Sequence, residues 1–110
     1  MLRIRESDWK VLRELHQAAL NRFCERVLLE IERARSDALK TPHERYLDVY
    51  EIVKNRDDEL AACFNDLSRS TGIDHLVAYR ARGLLTDEEF SRFSQETQEV
   101  VAIFIRGRKD

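Results

Sequence analysis

His16, Cys24 and Cys63 are the side chains whose chemistry invites attention first. Thiolate and imidazole are zinc ligands, and a thiol beside an imidazole is a nucleophile beside its base. His16 and Cys24 stand eight residues apart, which places them on one face of a helix. If two long helices form an antiparallel hairpin centred near Leu39, residues whose numbers sum to about 78 meet, and Cys63 comes opposite His16. A zinc site needs about four ligands, commonly at short Cys/His spacings. No CxxC or HxxxH is present. The two cysteines therefore read as small core residues, and a core-facing thiol stays protonated and inert. The same register opposes a Cys24–Cys63 disulfide: their numbers sum to 87. That is an offset of about nine residues, or ~13 Å along a helix, which is beyond bridging reach.

"KNRDDE", Lys54 to Glu59, contains adjacent carboxylates. Asp57, Asp58 and Glu59 are consecutive, so on a helix they splay apart and form no paired acid–base site. Arg56 or Asp57 falls where an apolar stripe should continue, so one of them is expected to set helix register or to face a partner. Trp9, His16, Tyr46 and Tyr50 are candidates for lining a ligand pocket between long helices; at their spacings they also suit core positions with a polar tip at the rim. No Gly-rich phosphate loop, GxSxG or HExxH occurs. The chemistry-bearing residues point to no catalytic centre, no metal and no cofactor.

The elements that position these residues are helices. With only three glycines and one proline in 110 residues, there is little punctuation for strands and turns. Hydrophobic residues at 43% exclude a disordered chain, and charged residues at 36% exclude a membrane-embedded one. Ser7 is a candidate N-cap. Trp9, Leu12, Leu15, Ala19, Phe23, Val27 and Ile31 then recur at steps of three and four, predicting an amphipathic helix from about Asp8 to about Ala38. "TPHE" opens a second helix, with Thr41 as N-cap, Pro42 at the first helical position and Glu44 closing a capping box. Its stripe runs through Tyr46, Val49, Tyr50, Val53, Leu60, Cys63, Phe64 and Leu67. This predicts one long helix ending near Ser70 with Gly72 just past it; a break near Asn55 is the alternative. A shorter helix is expected from Asp74 to Arg82. Gly83 is placed to end it in the left-handed conformation. Thr86 and Glu89 form a second capping box, flanked by Leu85 and Phe90 at the staple positions. The last helix carries Phe90, Phe93, Thr97, Val101 and Phe104, and Ser94 is able to cap a separate final helix.

"AYRARGLLTDEEFSRF", residues 78–93, resembles the short C-terminal helical module often called SHOCT in bacterial proteins. That pattern is an apolar helix followed by Gly, two aliphatic residues, Thr, acidic residues and Phe. Gly83, Leu84, Leu85, Thr86, Glu88, Glu89 and Phe90 match it, although a further helix follows here. The resemblance implies oligomerisation or protein contact, with no catalysis. The whole chain also resembles small uncharacterised all-helical bacterial proteins, which imply no activity.

Basic and acidic residues, 19 and 21, are interspersed and sum to a net charge of −2, so no phosphate-backbone partner is expected. The basic tail "RGRKD" suits a helix C-terminus, and the "DEEF" that follows the Gly83 corner repels nucleic acid. "MLRIRESDWK" lacks the apolar run of a signal peptide, and no segment approaches a membrane span, so the expected location is the cytoplasm with reduced thiols. The expectation is a single all-α domain over residues 1–110: two long antiparallel helices with shorter C-terminal helices packed across them. Its short helices have too few residues to cover a hairpin ~42 Å long. A homodimer through the long helices follows as the expected assembly, with Leu84, Phe90, Arg56 and Asp57 as candidate partner-binding residues. The expected function is that of a non-enzymatic interaction module; a small-ligand-binding or enzymatic helical protein is the alternative.

Overall fold

A computed structural model describes residues 3–108. All its regular elements are helices: α1 (Glu6–Arg35), α2 (Pro42–Phe64), α3 (Gly72–Ala81), α4 (Asp87–Phe90) and α5 (Gln95–Arg108). Among the described residues no helix is long and apolar enough to cross a membrane. The chain divides into two compact units. The first takes residues up to Leu20 together with those from Asp66 onward, and the second is Asn21–Asn65.

The first unit has a closed core. Ile4, Leu12, Leu76, Tyr79, Leu84 and Val101 are wholly buried, and α3 packs against α5. α1 starts at Glu6, where the Trp9 N–H donates to the Arg5 carbonyl at 2.8 Å, so Ser7 is helical and does not cap. The cap-like side chain in this first turn is Asp8, and it serves another helix. Asp8 is buried, and its carboxylate accepts from the Ser94 N–H at 2.8 Å, the Ser94 hydroxyl at 2.7 Å and the Thr97 hydroxyl at 2.8 Å. Ser94 in turn accepts the Thr97 N–H at 3.3 Å, so the start of α5 is capped locally and then clasped to α1.

α2 begins as its sequence specifies. Thr41 and Glu44 exchange hydrogen bonds of 2.8 and 3.2 Å in a complete capping box. The helix passes Asn55 without a break and stops at Phe64, six residues before the expected end near Ser70. There Asn65 is extended and Asp66 is left-handed at φ 60°; Thr71 folds the following loop by accepting the Ser68 N–H at 3.0 Å and donating to the Asp66 carbonyl at 3.0 Å. Gly72 does not end that helix; it opens α3. A Cβ on Gly72 would meet Ile4 Cγ2 at 2.8 Å, so close approach selects the glycine.

α3 ends in a Schellman motif. Gly83 is left-handed at φ 67°, its N–H donates to the Arg80 carbonyl at 3.1 Å, and the Leu84 N–H donates to the Tyr79 carbonyl at 2.8 Å. Thr86 and Glu89 complete the second capping box over the single turn of α4. The chain then turns through Ser91–Ser94, so the last segment is two helices, and Phe104 is half exposed where the single-helix stripe expected it buried.

Candidate interaction surface

The second unit is a helical hairpin made by α2 and the part of α1 from Asn21 onward. Its contacts show how the sequence fixes the register. Arg56 donates to both carboxylate oxygens of Glu30, at 2.9 and 3.0 Å, and to Glu59 at 2.8 Å. Bidentate guanidinium–carboxylate geometry orients as well as attracts. It holds the Glu30 carboxyl below the usual carboxylate range and raises the Arg56 guanidinium further above its own. At the end away from the tip, the Phe23 and Phe64 rings meet edge to face at 5.8 Å. Nearer the tip, Arg45 donates to the Arg35 carbonyl at 2.8 Å and closes the end of α1, while Lys40 pairs with Asp48 at 2.6 Å.

These pairs correct the expected register. Glu30 with Arg56 sums to 86 and Phe23 with Phe64 to 87, against the 78 of a hairpin centred on Leu39. Cys63 is thus level with Cys24. His16 instead accepts or donates at 2.9 Å with the hydroxyl of wholly buried Tyr79. Cys24 and Cys63 are not joined by a disulfide, for a different reason from the expected nine-residue offset. One step forward from Phe23 and one step back from Phe64 on an antiparallel neighbour turns the two thiols to opposite flanks.

One flank of the hairpin is left open and apolar. Leu28 is 53% exposed, Tyr46 66%, Tyr50 56% and Val53 49%. Between the helices runs a groove of about 270 Å³, lined by Cys24, Leu28 and Ile31 from α1 and by Val53, Asp57 and Leu60 from α2. Residues 46, 50, 53, 57 and 60 follow one another at three- and four-residue steps, so the tyrosines and the α2 wall of the groove share one stripe. Only Phe23, Cys63 and Phe64 of this unit are buried apolar residues. Hydrophobic side chains of this size and number on one flank make it a candidate contact surface.

The candidate residues fall out as follows. Arg56 sets register within the hairpin, and Asp57 borders the groove with its carboxylate exposed. Leu84 is 1% exposed, so it is a core residue and presents nothing to a partner. Phe90 is half-buried under the Arg80 guanidinium, 4.6 Å from its ring centre; Arg80 also donates to the Leu85 carbonyl at 3.1 Å and to Asp87 at 2.5 Å. Arg80 and Phe90 also line an open groove with Val101, Ala102 and Ile105 of α5. Tyr46 and Tyr50 are too exposed to line an enclosed pocket, and Trp9 lies half-buried with Arg13 5.8 Å over its ring. Trp9 and His16 belong to the first unit, Tyr46 and Tyr50 to the second.

Burial, with His75 adding, holds the His16 imidazole below its usual range. The His75 and Tyr79 rings lie 6.1 Å apart, so the neighbourhood is two imidazoles and a phenol in a core. Among the described residues no three of His, Cys, Asp and Glu are grouped to hold a metal. Sequence reasoning missed Leu28 as an open residue and Asp8 as a clasp. The signal for Leu28 is the run Val27, Leu28, Leu29 with Ile31, whose apolar arc on a helix is too wide for one neighbour to cover. No local pattern announces Asp8, whose partners lie 86 and 89 residues away. No family model, curated protein or solved structure matches the chain.

Proposed function

We propose that the chain is a non-enzymatic protein-interaction module whose docking face is the open flank of the α1–α2 hairpin. The observation that supports this most directly is the exposure of Leu28, Tyr46, Tyr50 and Val53 around an apolar groove. Such a face excludes more water when covered than when open, at about 25 cal/mol per Å² of apolar surface. The groove favours side chains of another helix over a small polar substrate, because its walls bring together few polar groups. The resemblance of residues 78–93 to an oligomerisation module agrees in kind. Its own candidate contacts lie elsewhere, however, with Leu84 in the core.

The test is binding of an environment-sensitive apolar dye to the full chain, compared with a Leu28→Asp/Val53→Asp variant. Wild type is expected to bind the dye at micromolar concentration. The variant is expected to lose at least tenfold while its circular dichroism stays the same. Absence of dye binding by the monomeric chain, or binding indifferent to both substitutions, would remove the docking face.

A further inference from the structure

Resting on that docking-face reading, we infer that the occupant is a second copy of the chain, docked α2 against α2 in an antiparallel two-fold arrangement. The α2 stripe carries a projection and a recess. Tyr46 and Tyr50 stand out from it, and the groove wall at Val53, Asp57 and Leu60 follows one to three turns further on. A two-fold axis needs a surface that is its own complement. An axis midway between Tyr50 and Val53 brings each copy's projection over the other's recess. Residues then meet where their numbers sum to 103: Tyr50 with Val53 of the other copy, and Tyr46 with its Asp57.

The polar groups complement one another in that register. Asp57 is an exposed carboxylate at the groove edge with no hydrogen bond or ion pair among the described residues, and a phenol O–H is its natural donor. Tyr46 and Asp57 are eleven residues apart, three helical turns or ~16 Å, so both lie on the stripe and both contacts form twice. A foreign helix would use the recess but would leave the projecting phenols without a role. The four exposed side chains with the half-open groove walls offer on the order of 600 Å², short of the roughly 800 Å² each partner gives to a standard interface and in keeping with a weak, micromolar dimer.

Sedimentation equilibrium of the full chain between 1 and 100 µM tests the assembly, and dye binding is read on the same samples. The expected result is a monomer–dimer equilibrium in the micromolar range. Tyr50→Glu, and separately Tyr46→Glu, are expected to weaken it at least tenfold with unchanged circular dichroism. For register, Tyr46→Cys and Asp57→Cys chains, both in a Cys24→Ser background, are mixed with a short bis-maleimide. Mass spectrometry is expected to find 46-to-57 links in excess over 46-to-46. A monomer at 100 µM that still binds dye would overturn the second copy and leave the docking face standing. A monomer that binds none would overturn both. A dimer indifferent to the tyrosines, or linked elsewhere, would overturn the α2 placement.

Discussion

The two units bury their apolar residues to different degrees, although one amphipathic stripe runs into both. Along α1, Leu12, Leu15 and Ala19 are buried in the first unit; beyond Phe23 the same stripe, at Val27 and Ile31, is only half covered, and Leu28 beside it is open. The first unit closes its core and pairs its buried carboxylate three times over. The second joins its helices through a partly exposed arginine fork, an aromatic pair and the Arg45 bond to the Arg35 carbonyl. Periodicity states which residues can be buried, and only the neighbours decide which are.

Substitutions in the first unit should cost much more than those on the open flank. Asp8→Ala should cost most, about 3 kcal/mol in guanidinium unfolding, because it strands one N–H and two hydroxyls at the start of α5. A loss below 1 kcal/mol would reduce the clasp to an incidental contact. Gly72→Ala should lose about 2 kcal/mol, since its Cβ must displace stiff, buried Ile4. In the hairpin, Arg56→Ala should lose about 1 kcal/mol, the range for a partly exposed ion-pair network. It should also shift the Glu30 titration upward by NMR. Because Arg56 lowers the Glu30 pKa in the fold, this pair's stabilisation is present above the usual carboxylate value and is lost as pH falls through the folded one.

His16 offers a pH test of the first unit. Its folded pKa is lowered, so the unfolded chain binds the proton more readily. Stability from this group should be complete above about pH 6.5 and should decline as pH falls toward the lower folded value. His16→Gln should flatten that part of the unfolding-versus-pH curve. The smallest effect belongs to the open flank. Leu28→Ser and Tyr50→Ser should each change the stability of the isolated chain by under about 0.5 kcal/mol. A larger loss would show that these residues are structural after all.

Local chemistry was legible in the sequence and distant geometry was not. Both capping boxes, the Gly83 corner and the all-helical class follow from residues within a turn or two of one another. The end of α2 was hidden because its apolar period continues through Cys63, Phe64 and Leu67; what stops the helix is left-handed Asp66 and the reach of Thr71 around it. The hairpin register was misjudged because long side chains set it, Arg56 reaching Glu30, where a symmetric tip at Leu39 was assumed. At the candidate site, Asp57 could be picked out as a polar residue interrupting an apolar stripe. Leu84 was misplaced because an aliphatic residue after a corner glycine reads the same whether it faces solvent or core.

The bonds from Asp8 to Ser94 and Thr97 also bear on the order of events during synthesis. Their donors leave the ribosome long after their acceptor, whereas residues 21–65 are complete and able to pair while the rest is still being made. Nascent chains on one polysome would therefore display the hairpin's oily flank to each other before either had fastened its own ends. Exposed apolar surface of that kind is an early route to aggregation.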